Sequence, residues 1–563
     1  MEETEALRNI LNRIYGKDKG LEAFNRILQV IEKYSVKDKD PSGYFSEDDV
    51  VLITYGDSLK KNGEPPLQTL HEFSKKYLSG VVSTIHILPF NPFSSDDGFS
   101  VIDFYSVNTE LGTWDDIESL GNDFKLMFDL VLNHMSSENI WFKKFLNEEE
   151  GFKDFAIVVD PSIDLSEVTR PRSLPLLTEY KKTSGKTVHV WTTFSADQID
   201  INYESLDVLE KMTDVLLEYT KYGAKIIRLD AIAYLWKQIG TNCIHLNETH
   251  DIVKCFRKIF DIAAPDVMIL TETNVPHNEN ISYFGNGHDE AQMVYNFTLP
   301  PLLFYSFIKE DTTFLSNWAK GLQLESDENT FFNFTASHDG IGVRPLEGIL
   351  PAEEIDKLIK VVNENEGNVS YKRNPDGSDS PYELNITYID ALLDKKNNFD
   401  NYHTSRFLAS QAIAMSLPGV PAVYVHSILG SRNWTEGVEQ TKRARTINRA
   451  KLDFKDIISQ LQDPLSFRSR VFFPYIEMIK TRKEQSAFHP NALFEVLDIN
   501  KKVFAIKRYS KDQNIYALTN ISSDIITFSL PDSNDDKIKD LISGKEFSTK
   551  NIQLNPYEYL WLS

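Results

Sequence analysis

Eight short apolar runs, recurring between stretches with apolar residues three and four apart, constrain this chain more than any other feature. Strands are expected at Val50–Tyr55 (VVLITY), Val81–Leu88 (VVSTIHIL), Lys125–Leu132 (KLMFDLVL) and Ile226–Ala231 (IIRLDA). The other four are Val267–Thr271 (VMILT), Met293–Thr298 (MVYNFT), Thr330–Ala336 (TFFNFTA) and Ala422–His426 (AVYVH). Intervals such as Ser205–Lys221 and Thr249–Ala264 carry helical spacing. Near-continuous apolar strands are buried on both faces, so they belong in a parallel sheet covered by helices. Eight such units predict an α/β fold of one closed kind, a (β/α)8 TIM barrel.

Two intervals are too long for a single helix. Ser136–Asp200 follows the third strand and Leu346–His403 follows the seventh, where long insertions are more often binding loops than disorder. After Phe488 the texture changes to apolar–polar alternation with frequent turn signals, which predicts an antiparallel β module ending in YEYLWLS. The expected division is a barrel in three parts, 1–135, 201–345 and 404–487, interrupted by an inserted B domain at 136–200. A second inserted region, B′-like and carrying an acceptor loop, occupies 346–403, and the C-terminal β domain occupies 488–563.

Charge and cysteine usage narrow the function. Lys plus Arg is 60 and Asp plus Glu is 83, a net charge of −23. That argues against nucleic acid or an anionic membrane as partner, since both are held by basic residues. No apolar run approaches the roughly 18–20 residues that span a bilayer. The start, MEETEALRNILNRIYG, is acidic and amphipathic rather than basic and then apolar, unlike a signal peptide. Cys243 and Cys255 fall in no metal-spacing motif, so a reduced cytoplasm and no metal site are expected.

Polar groups gather at the C-terminal ends of the expected strands. Asp57 follows the first, Asn133 and His134 the third, Glu272 the fifth, and His338 with Asp339 the seventh; Arg228 and Asp230 close the fourth. In a barrel these ends converge on one mouth. A single Asp at a strand end is more often a helix cap or an ion-pair partner. Three acids from three strands, two of them beside an Arg or His, point instead to acid–base chemistry. Breaking an acetal with retention needs a carboxylate nucleophile and a carboxylic acid roughly 5 Å apart. Asp230 is the expected nucleophile, kept ionised by Arg228. Glu272 is the expected acid and base, with a raised pKa. Asp339 is expected to hold sugar hydroxyls, with His338 and His134 as hydrogen-bond donors.

DLVLNH, IIRLDAIA, LTETN and SHDG, in that order, resemble the four short signatures of the α-amylase-like glycoside hydrolase clan. LITYGDSL, ILPFNPFSSDDGF, LGTWDD, TRPRSLP, VHVWTTFS and RTINR are similar to its sucrose phosphorylase branch, and the likeness runs from Val50 to Arg449. Within that branch, IAYLWKQIGTNCIHLNETH, TETNVPHNENISYFG and SPYELNITYIDAL look most like the glucosylglycerate phosphorylases. The resemblance implies a retaining phosphorylase that reversibly converts 2-O-α-D-glucosylglycerate into α-D-glucose 1-phosphate and D-glycerate. Inorganic phosphate would be co-substrate, with no cofactor.

By resemblance, Asp57 and Arg445 clamp the far hydroxyls of the glucose and Phe194 supplies an apolar face. Tyr382 and Glu383 stand in the acceptor loop, where sucrose phosphorylases usually read Tyr-Gln. The branch's aspartate–histidine pair appears here as Asp103–Phe104. Arg170, Arg172, Lys372 and Arg373 are the candidate donors for phosphate or glycerate. Phosphorolysis of sucrose or sucrose 6′-phosphate, hydrolysis or transglucosylation of α-glucans, and a barrel without catalysis are the alternatives. The intact set of three acids argues against the last. The expected partners are small sugars and phosphate, with room for a homodimer.

Overall fold

A computed structural model describes residues 2–34, 43–374, 376–395, 401–531 and 536–563. Eight strands close a parallel barrel in chain order. They are β1 (Val51–Tyr55), β2 (Thr84–Leu88), β3 (Lys125–Leu130), β4 (Ala224–Leu229), β5 (Met268–Thr271), β6 (Met293–Tyr295), β7 (Thr330–Phe334) and β8 (Val420–Tyr424). The closing pair sets Val51 against Ala422 and Ile53 against Tyr424. Nearly every residue of these strands is buried, as continuous apolar runs between a filled interior and a helical jacket require. Helices Glu2–Tyr15 and Lys17–Ile31 add to that jacket, packing on Asn247–Ala263 and Leu206–Lys221.

All eight expected strands form, each shifted at one or both ends, and two of the shifts have plain physical causes. The eighth starts at Val420, earlier than its apolar run suggested, because it admits Pro421. Proline donates nothing to a ladder and normally argues against a central strand. Here Asn333 stands opposite it, and the Asn333 side chain donates to the Pro418 carbonyl at 2.8 Å. The sixth strand stops at Tyr295, because Leu299–Lys309 opens a helix with prolines in its first turn.

The two long excursions are built of antiparallel ribbons. In the first, Leu177–Lys181 pairs with Thr187–Trp191, and His134–Ser136 pairs with Gln198–Asp200 where the excursion leaves and rejoins the barrel. In the second, Asn368–Arg373 pairs with Asp379–Asn385, whose other edge takes Ile341–Gly342. Residues 375 and 396–400 of that expected region lie outside the described residues. The C-terminal module is a four-stranded antiparallel sheet of Leu493–Val496, Val503–Tyr509, Asn514–Asn520 and Tyr559–Leu562. Arg508, fully buried, fastens it to the barrel by donating to the Ser416 carbonyl at 2.8 Å, and also donates to the His489 carbonyl of its own module at 2.7 Å.

Candidate active site

Arg228 is the centre of the barrel mouth. It is the next-to-last residue of β4, 1% exposed, and lies between the rings of Phe99 and Tyr295 at 5.6 and 5.5 Å. One Nη1 serves both Asp129 of β3 and Asp230, the latter at 2.7 Å. Its Nη2 stands 3.7 Å from Glu272, the residue just past β5. Asp129 is also held by His86 of β2 at 2.7 Å. Three strands therefore bring three carboxylates onto one guanidinium, which is how so many charges remain buried together.

The backbone helps to aim them. Ala231, immediately after Asp230, has a φ of 51°. A non-glycine residue in that region is strained, and such strain concentrates at functional sites. Its N–H donates to Glu272 at 3.0 Å, so the turn after β4 holds the acid that follows β5. Behind Asp339, Gly340 has no room for a side chain: a Cβ there would lie 2.6 Å from the Leu384 carbonyl oxygen. That accounts for the glycine of SHDG.

The electrostatics separate the acids. Burial pushes the Asp230 carboxyl up to about 6, with Arg228 opposing the rise. The expectation that Arg228 dominates is thereby corrected: desolvation is the larger effect. Burial raises Glu272 further, to about 7; Arg228 resists, while Asp230 and Asp339 add like-charge repulsion. Burial would raise Asp339 too, but the guanidiniums of Arg445 and Arg449 overcome it and hold that carboxyl well below the usual range. Burial lowers His338 to about 3, so its ring is neutral at pH 7.

A cavity of about 70 Å³ lies above these groups, walled by Asp230, Glu272, Asp339, His134, His338, Phe194, Tyr382, Arg172 and Arg445 among others. Nine expected site residues therefore meet at one place, with Arg228 directly beneath. His338 stacks on Phe99 at 4.7 Å, and its Nδ1 has no hydrogen-bond partner among the described residues. His134 is less free than expected, since its Nε2 donates to the Phe99 carbonyl at 2.8 Å. The cavity opens into a vestibule of about 520 Å³, lined by Arg172, Arg443, Arg445 and Arg449. Another cavity, about 530 Å³, is lined by Lys153, Lys186 and Trp236 and holds none of the three acids.

Other expectations are corrected. Asp57 does not reach the cavity; it is paired with Lys60 at 3.3 Å and with Lys451. Asp96, in the loop after β2, lines the cavity in its place, with a φ of 52°. Glu383 is not an open acceptor-facing group, because it is 1% exposed and accepts two hydrogen bonds from Arg445, each 2.9 Å. Arg445 also contacts Asp339 at 2.5 Å, so Glu383 acts on the site through that arginine. Of the four candidate anion donors only Arg172 reaches the cavity; Arg170, Lys372 and Arg373 line a separate one. Asp103 is spent on its own loop, accepting from the Tyr105 N–H and the Ser106 hydroxyl, while Phe104 stacks on Trp141. Asp96, Phe99, Gln198 and Tyr234 line the cavity without having been anticipated. Of these, Asp96 and Phe99 lie within the segment SSDDGF.

Beside the site, Lys237 occupies a cage of oxygens. Its ammonium lies 2.6 Å from Asp200, donates to the Asn133 side-chain oxygen at 3.0 Å, and donates to the Tyr234 carbonyl. Both members of the Lys237–Asp200 pair are buried. Asn133 and Asp200 are hard oxygen ligands of the type calcium takes, but an ammonium already fills the space between them, so these residues do not fit a metal ion.

Residues 76–340 match the family model "Alpha amylase, catalytic domain". The chain is 46% identical to the glucosylglycerate phosphorylase of Spirochaeta thermophila, covering 100% of this chain and 99% of that one. It is 47% identical to the glucosylglycerate phosphorylase of Escherichia coli, covering 92% of each. Among solved structures, the sucrose 6F-phosphate phosphorylase from Thermoanaerobacter thermosaccharolyticum superposes with a TM-score of 0.74 at 28% identity, over 84% of this chain and 94% of that one. Barrel, acid triad and relatives agree: the chain belongs to the alpha-amylase family, among its glycoside phosphorylases.

Proposed function

We propose that the protein catalyses reversible phosphorolysis of 2-O-α-D-glucosylglycerate, forming α-D-glucose 1-phosphate and D-glycerate by double displacement. Asp230 attacks the anomeric carbon and forms a β-glucosyl ester while Glu272 protonates the departing glycerate oxygen. Glu272 then takes the proton of the incoming phosphate as its oxygen displaces Asp230. Two inversions leave the α configuration unchanged. Asp339, ionised, stabilises the oxocarbenium-like charge and orients hydroxyls, with His338 and Asp96 beside it. Phe194 lies along the cavity wall as an apolar face for the sugar ring.

The observation that carries this reading is the shared guanidinium. Asp230 and Glu272 both contact Arg228, and the N–H of Ala231, next to Asp230, donates to Glu272, so a nucleophile and an acid face one cavity, as the retaining double displacement requires. Phosphate as second nucleophile is supported by the vestibule, whose four arginines match an anionic reactant and an anionic product in turn. Glycerate as acceptor is supported by relatives of that activity at 46–47% identity. No cofactor takes part, and Lys237 serves where a structural cation would otherwise sit. Turnover is expected in the cytoplasm, where buried Cys243 and Cys255 remain thiols.

Activity requires Asp230 ionised and Glu272 protonated. kcat/KM is therefore expected to rise with pH through about 6 and to fall through about 7. Glu272→Gln is expected to erase the alkaline limb and to slow glucosylglycerate turnover by about 10²–10⁴-fold. It should spare glucosyl fluoride, whose leaving group needs no proton. Equal losses on both donors would remove Glu272 from the acid role.

The acceptor is tested in the reverse direction. From α-D-glucose 1-phosphate, D-glycerate is expected to be glucosylated far faster than D-fructose. Equal rates of sucrose and glucosylglycerate formation would overturn the substrate while leaving the retaining mechanism in place.

A further inference from the structure

A separate cavity, of about 470 Å³, lies apart from the three acids and gathers Arg170, Arg344, Lys372 and Arg373 around a single lining carboxylate, Glu167. The chain as a whole carries −23, so this is a local reversal of its charge. The cations are poorly neutralised. Lys372 and Arg344 share one carboxylate, Glu347, at 3.6 and 3.9 Å. The buried Nε of Arg344 has no hydrogen-bond partner among the described residues. Arg170 makes no ion pair among the described residues and donates only to the Leu174 carbonyl. Arg373 alone has a close partner, Asp379 at 3.0 Å. Burial and the neighbouring Arg373 hold Arg170 below its usual pKa, and burial and Arg344 do the same to Lys372. Like charges pressed together at fixed positions imply a missing counter-ion.

We propose that this cavity is a second anion site that takes a phosphate group, free or as a monoester. Guanidinium forks and an ammonium donate to several oxygens of one phosphate at once, which a single carboxylate cannot match. The site also has a means of reaching the active centre. Arg170 is two residues from Arg172, which walls the catalytic cavity. Lys372 and Arg373 end the strand Asn368–Arg373, whose partner strand carries Tyr382 and Glu383. Arg344 lies just past Ile341–Gly342, on the other edge of that partner strand. A bound phosphate ties the segment 165–174 to the paired strands Asn368–Arg373 and Asp379–Asn385, and Arg172 and Tyr382 from these two parts wall the reaction site.

The test uses binding and not turnover, so it stands or falls independently of the phosphorolysis reading. Inorganic phosphate is titrated calorimetrically into full-length Arg172→Ser, which weakens anion binding at the catalytic cavity and its vestibule by removing one of their arginines. One phosphate per chain is expected to bind. Adding Lys372→Ser and Arg373→Ser should weaken that binding at least about 10-fold, and Arg170→Ser alone should also weaken it. Circular dichroism of each variant checks folding. Methyl phosphate binding as well as inorganic phosphate assigns the site to phosphate monoesters; binding of inorganic phosphate only assigns it to the free ion. No phosphate uptake by Arg172→Ser, or uptake unchanged by the two serines and by Arg170→Ser, overturns the proposal.

Discussion

Asp230→Asn is expected to fold as the parent does and to lose about 10⁴-fold or more in kcat. The size follows from what the carboxylate does: an amide cannot form the glucosyl ester, and no neighbour can substitute. Asp129 is fully occupied by His86 and Arg228 beneath the cavity. Asp339 is pinned by Arg445. Folding survives because asparagine has the same shape and its side-chain oxygen still accepts from Arg228. It also removes a carboxyl that burial disfavours in its charged form. Circular dichroism and glucose 1-phosphate release measure the two halves of this expectation. A variant with near-parental turnover would remove Asp230 from the mechanism.

The second large effect is on stability. Lys237→Ala leaves Asp200 buried without its cation, while the oxygens of Asn133 and Tyr234 still point at the vacated space. Breaking a buried ion pair by removing one partner costs about 3–5 kcal/mol, and chemical denaturation should register a loss of that order. The empty cage now resembles a calcium site, so millimolar calcium is expected to recover part of the loss in Lys237→Ala. Neither calcium nor a chelator should move the parent protein. Calcium-dependent stability in the parent, or no loss in the variant, would contradict the role given to Lys237.

The barrel and its acids were legible in the chain for the same reason. Parallel strands buried on both faces are continuous apolar runs, so Arg228, Asp230, Glu272 and Asp339 stand out at their ends. Loops carry no such period. Asp57 follows β1 and looked like a mouth residue, but Lys60 and Lys451 draw it aside. Asp96 reaches the cavity from a loop whose backbone turns through positive φ at both Asp96 and Asp97, a path no hydrophobic pattern announces. Glu383 and Arg445 pair across 62 residues, a contact only the closed barrel creates. The cations of the two excursions likewise divide between two cavities according to how the ribbons fold. Composition alone could not sort Arg172 from Arg170.

The central claim is that phosphate, not water, resolves the glucosyl enzyme. Purified protein mixed with 2-O-α-D-glucosylglycerate should release the α anomer of glucose 1-phosphate together with D-glycerate, followed directly by ³¹P and ¹H NMR. Release is expected to depend on inorganic phosphate and to saturate with it, with little free glucose formed. Free glucose appearing at the same rate with and without phosphate would contradict the account, as would the β anomer of glucose 1-phosphate.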